Sequence, residues 1–239
     1  MRKKLLTMML LLVFVIAFAG CGVKATGGSN TATGSNTSTG TNSNDNSTGA
    51  NTPQVSATDL EENITCSGAI TALGKFVAFA TNGNSIPVDM EIEVEFYDAS
   101  GTIVGSANEE LQAVGENAEV AVDMWSTPES FDNYKIYVDV KATDEISYFD
   151  KLNLTHSDNG ENVAVQVTNN SDETIDYITV GVVYYQGDTV VGYGDGIESD
   201  VKPGRSANYN IYYPYGSDYN DVTFDNYKVF INEAYSYNW

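Results

Sequence analysis

One histidine, His156, is available for acid–base work in the whole chain. A histidine does not by itself supply a nucleophile–base–orienter triad, and no Gly-x-Ser-x-Gly elbow accompanies it. It follows Leu152 and Leu154 at alternate positions and reads as a surface or strand-end residue. Zinc has no cluster of His and Cys to sit in. Oxygen ligands suited to calcium concentrate in Asp195-Gly196-Ile197-Glu198-Ser199-Asp200 and in Ser157-Asp158-Asn159-Gly160. Neither has EF-hand spacing or a nonapeptide repeat, so both read as solvated turns. Carboxylate pairs of the glycosidase kind arise by default in a chain this acidic. The expectation is therefore no catalytic residue, no metal and no cofactor.

The aromatic residues say more. Twelve of the 16 tyrosines lie from Tyr177 onward. Tyr212-Tyr213-Pro214-Tyr215-Gly216-Ser217-Asp218-Tyr219 stands where an earlier part of the chain has Met124-Trp125-Ser126-Thr127-Pro128. Pro and Gly argue for loops there, and Tyr and Trp in loops offer amphipathic contact area at small entropic cost. Trp125, Tyr212, Tyr213, Tyr215 and Tyr219 are thus the candidate ligand-binding residues, for a glycan or a protein, against the plainer reading that they cap the fold.

What positions these loops is a duplication. Phe131-Asp132-Asn133-Tyr134-Lys135 returns unchanged as Phe224-Asp225-Asn226-Tyr227-Lys228, so one module is expected twice. Thr81-Asn82 matches Thr168-Asn169, and residues 115–118 match 204–207. Met90, Ile92, Val94 and Phe96 alternate with Glu91, Glu93 and Glu95, the period of a half-buried strand. Ile178, Val180, Val182 and Tyr184 repeat that face. Turns at Asp98-Ala99-Ser100-Gly101 and Gln186-Gly187-Asp188 lead into returning strands. The fold class expected is all-β: two tandem Ig-like antiparallel sandwiches with Greek-key connections, at 59–143 and 144–239, with residues 145–150 as the crossover.

Ahead of the modules lies an address. Arg2, Lys3 and Lys4 precede an apolar run over residues 5–19, too short for the ~20 residues of a membrane span and laid out like a secretory signal. Phe18-Ala19-Gly20-Cys21 resembles the bacterial lipobox, which implies cleavage after residue 20 and a diacylglyceryl group on Cys21. Two acyl chains hold a protein on a membrane where one is marginal. Of residues 25–54, 24 are Gly, Ser, Thr or Asn, a composition with almost nothing to bury, expected to form a disordered tether over 21–58. With Cys21 committed to lipid, Cys66 is expected to be a small buried residue and the folded part to lack a disulfide.

Without its signal the chain keeps eight basic residues against 33 acidic ones, a formal charge of −25. That balance opposes nucleic acid, whose binding rests on cationic contacts to phosphate.

Val94-Glu95-Phe96-Tyr97-Asp98 with its glycine turn, a Thr-Asn strand end before it and Val114-Gly115-Glu116 after it, resembles the FxLYD-type bacterial Ig-like module. The resemblance implies a β-sandwich found in bacterial surface lipoproteins, without an established catalytic role. The second copy reads Val182-Val183-Tyr184-Tyr185-Gln186 and lacks the final Asp. The functional expectation is a non-enzymatic lipoprotein on the outer face of the cell membrane, displaying two binding modules. An accessory subunit of a membrane complex, docked through a strand edge, is the alternative, and a glycan-processing enzyme the remotest one.

Overall fold

The computed structural model describes residues 57–215 and 222–238. The signal segment, Cys21, the Gly/Ser/Thr/Asn stretch and Tyr219 lie outside the described residues. After a short helix, α1 (Ala57–Glu61), come β1 (Ile64–Ile70), β2 (Phe76–Asn82), β3 (Val88–Tyr97), β4 (Ile103–Val114), β5 (Glu119–Met124) and β6 (Asn133–Ala142). Then follow β7 (Ile146–Ser147), β8 (Leu152–Asp158), β9 (Asn162–Asn169), β10 (Ile175–Gln186), β11 (Thr189–Val201), β12 (Ser206–Tyr212) and β13 (Asn226–Ser236). The fold is all-β, built of antiparallel sheets.

Each module is a sandwich of two three-stranded sheets. In the first, β1-β2-β5 faces β4-β3-β6; in the second, β8-β9-β12 faces β11-β10-β13, to whose edge β7 adds. The chain changes sheet at β2→β3, β4→β5 and β5→β6, and again at the matching steps of the second copy. The alternation read from the sequence is real. Met90, Ile92, Val94 and Phe96 are buried between the first pair of sheets, as are Ile178, Val180, Val182 and Tyr184 between the second. The crossover carries β7 and a 3-10 turn at Phe149–Lys151.

Asn82 and Asn169 close each sandwich in the same way. Both are fully buried. The Asn82 amide donates to the carbonyls of Ile86, Val114 and Gly115 at 2.9–3.0 Å while its oxygen accepts from the Asn84 backbone. Asn169 donates to Glu173 and Val201 and accepts from Ser171. One side chain thereby satisfies backbone groups of several loops that no strand pairs.

The modules are not beads on a string. A third apolar cluster of Val77, Ala121, Val183, Val190 and Phe230, flanked by Ala69, Phe79, Tyr185 and Tyr193, joins the outer face of β1-β2-β5 to the outer face of β11-β10-β13. The result is four sheets in a stack, the front of one module against the back of the next. Phe76, Val77 and Ala78 are consecutive and all buried, because β2 has a sheet on either side. At the seam the Asn232 side chain pairs with both backbone groups of Ala121, accepting from its N–H at 3.0 Å and donating to its carbonyl at 2.8 Å. Tyr193 donates to the same carbonyl. Gly181 lets the strands come this close: a Cβ there would lie 3.0 Å from the Ala121 oxygen and 2.9 Å from the Tyr193 hydroxyl.

Two readings are corrected. Cys66, half-buried on β1, is disulfide-bonded; the lone buried thiol was inferred from the assignment of Cys21 to lipid. Asp195 to Asp200, read as a loop, lie within β11, which runs through to Val201. Their Gly and Asp residues have low strand propensity, but Gly194 and Gly196 sit where Ile211 and Tyr209 fill the space a side chain would take, and that packing overrides propensity.

Candidate ligand-binding surfaces

Pairing register aligns the two modules residue by residue. Thr81 faces Glu119 as Thr168 faces Ser206, so Trp125, just past β5, corresponds to Tyr212 at the end of β12. Both are open to solvent, Trp125 at 75% and Tyr212 at 67% exposure. The Lys75 ammonium sits 5.3 Å from the Trp125 ring centroid, and the Thr127 hydroxyl ties the following loop to Met124 and Phe76. Tyr215 is also exposed. Tyr213 is not of this set. Its ring packs edge-on against Tyr184 and Phe224 in the second core, and its hydroxyl donates to the Asp158 carboxylate. That bond holds the Asp158 carboxyl below its ordinary range and the tyrosine above its own.

The two aromatic loops do not converge on one ligand face. Along the seam Lys228 meets Glu119 and Asn232 meets Ala121, so β5 and β13 run alongside in the same direction. β13 leaves the tyrosine loop near Glu119, whereas β5 ends at Trp125, six residues or about 20 Å further on. The loops stand at opposite ends of the stack.

The two outermost faces differ in chemistry. On β4-β3-β6, Glu91 lies between Glu110 and Asp139, Asp89 pairs with Lys141, and Glu95 lies beside Lys135. On β8-β9-β12 the outward rows are Asn153, Thr168 and Ser206; Thr155, Gln166 and Asn208; and Ser157, Ala164 and Asn210. No outward position of those three rows carries a charge. Gln166 donates to Asn208 at 2.9 Å, and Thr168 shares a hydrogen bond with Ser206. A shallow groove crosses the middle of this face.

A third arrangement is internal. Glu109, Asp123, Asp195 and Glu233 come from both modules to the side of the seam. Burial pushes the carboxyls of Glu109, Asp123 and Glu233 above the ordinary range, and Asp195 adds its like charge to the first two. Glu233 accepts from the Gln112 N–H and the Thr179 hydroxyl. Asp123 has Lys75 at 3.9 Å, yet its Oδ1 and the Oε1 of Gln112 are buried without a donor. Among the described residues no three His, Cys, Asp or Glu side chains are grouped to hold a metal ion. His156, exposed on β8, makes a 3.1 Å hydrogen bond with Tyr227 and packs edge-on against its ring.

No protein-family model matches the chain, and no curated protein matches its sequence.

Proposed function

We propose that this chain is an exported bacterial lipoprotein of the FxLYD-type, held at the outer face of the cell membrane through Cys21 and a tether, whose stacked modules bind a cell-wall glycan without catalysis. The lipobox-like Ala19-Gly20-Cys21 behind a basic-then-apolar start supports the anchor. A strongly acidic chain opposes nucleic acid and anionic lipid headgroups as ligands. The observation that carries the binding reading is the stack itself, which commits one sheet face of each module to the seam and leaves two broad faces and two aromatic loops directed outward.

The chain has two cysteines, so a lipid thioether at Cys21 and a bridge within the chain to Cys66 compete for one sulfur. Intact-mass measurement of the full chain, expressed in a lipoprotein-processing bacterium, separates them. The proposal requires loss of residues 1–20 and a diacylglyceryl adduct on Cys21. An unlipidated chain whose cysteines react only after reduction would remove the anchor. Sedimentation of the mature protein with purified cell-wall sacculi tests the binding: retention supports it. Absence of retention together with a stoichiometric membrane partner in a crosslinked pull-down would replace it with the accessory-subunit role.

A further inference from the structure

The duplication supplies an internal control on what each face is for. In the first module Val77, Phe79, Ala121 and Ala69 carry the β1-β2-β5 face into the seam. The same positions of the second module hold Ala164, Gln166, Asn208 and Ser157, and Asn210 stands where the first has Asp123. The face is thus made polar, and a third module has no apolar surface on which to continue the stack. Polarity for solubility alone is achieved differently at the other end, with Glu91, Glu93, Glu95, Asp139, Lys135 and Lys141 outward. In a chain with 33 acidic residues, three strands whose outward positions, Ala164 apart, are amides and hydroxyls without one carboxylate call for a further reason. Desolvating an ionised side chain costs far more than desolvating an amide or hydroxyl that finds a new partner. A surface that must give up water to an uncharged, hydroxyl-rich ligand therefore excludes charge.

We propose that the outer face of β8-β9-β12 is a binding platform for a neutral polysaccharide. The rows repeat every ~4.8 Å across the strands and every ~6.7 Å along them, presenting side chains that both donate and accept, as sugar hydroxyls and acetamido groups do. Gln166 and Asn208 hold each other in place through one hydrogen bond and keep further donors and acceptors free. Tyr212, exposed at the end of β12 beside this face, offers a ring for a sugar to stack on. This inference rests on the glycan-binding reading above and narrows it to one face and one class of ligand.

The test sediments the mature protein with chitin and with cellulose, both uncharged, and with purified sacculi. Asn208→Asp with Asn210→Asp puts two charges on the platform at exposed positions and leaves the core untouched, which an unchanged Tm confirms. The platform requires retention of the wild type on at least one neutral polymer, a tenfold or greater loss in the double variant, a loss in Tyr212→Ala, and none in Trp125→Ala. Equal retention of the double variant, or loss on Trp125→Ala alone, overturns it. Retention on sacculi that survives the double variant keeps the binding reading and discards this face; absence of the wild type from every polymer discards both.

Discussion

Asn232 of the second module grips the peptide of Ala121 in the first, its oxygen on the N–H at 3.0 Å and its amide on the carbonyl at 2.8 Å. A side chain here does what a neighbouring strand would do, at a place where two sheets meet face to face. Asn232→Ala leaves the Ala121 N–H without a partner, while Tyr193 still serves the carbonyl. A buried orphan donor costs about 1–3 kcal/mol. Urea denaturation should show that loss. An unchanged midpoint would mean that the seam is wet.

Gly181 gives a second handle on the same contact. Its missing Cβ is the space occupied by the Ala121 carbonyl and the Asn232 amide. Gly181→Ala must push backbone away from backbone and should cost about 1–3 kcal/mol, as overpacking does. Asp139→Asn, exposed and outward on the acidic face, should stay within about 0.5 kcal/mol. A reversal of that order in thermal melts would contradict the stack.

Stability should rise on mild acidification. The carboxyls of Glu109, Asp123 and Glu233 have raised pKa values in the folded state, through burial first. The native protein therefore holds protons more tightly than the unfolded chain, so stability is fullest below the unfolded carboxylate range and declines as pH rises through the raised values. Other groups facing them are Asp195, Glu110, Asp89, Tyr193 and the Lys75 ammonium. As the pH falls from neutral toward the ordinary carboxylate range the Tm should increase. Glu109→Gln with Asp123→Asn should flatten the slope, and Asp139→Asn should leave it. A Tm that falls over this range would refute the assignment.

Among the tyrosines of the second loop, Tyr213 should behave as a core residue. Tyr213→Ala removes ring contacts to Tyr184 and Phe224 and should destabilise by about 2–3 kcal/mol, whereas Tyr212→Ala stays near zero. Equal effects in a denaturation series would contradict the packing.

Much of each sandwich was legible in the sequence. The period-two face of Met90 to Phe96, the repeated Thr-Asn strand end and the glycine turns are local signals, and local physics decides them. The seam had a signal too. Phe76-Val77-Ala78-Phe79-Ala80 and Val180 to Tyr185 are unbroken or nearly unbroken apolar runs, which belong to strands covered on both sides. What covers the second side is a contact between residues about 110 apart, as Ala121 is from Asn232, and no local pattern names that partner. The same limit hid Tyr213: which ring of Tyr-Tyr-Pro-Tyr turns inward depends on Phe224 and Asp158, brought there by other strands. The uncharged platform shows in the alignment of the copies only once the strand registers say which positions face outward.

Calorimetry of the mature chain addresses the stack most directly. If the sheets share one seam, the modules melt as a unit, with a single transition whose van't Hoff enthalpy equals the calorimetric one. Two transitions, or a calorimetric enthalpy about twice the van't Hoff value, would show independent modules and contradict the account.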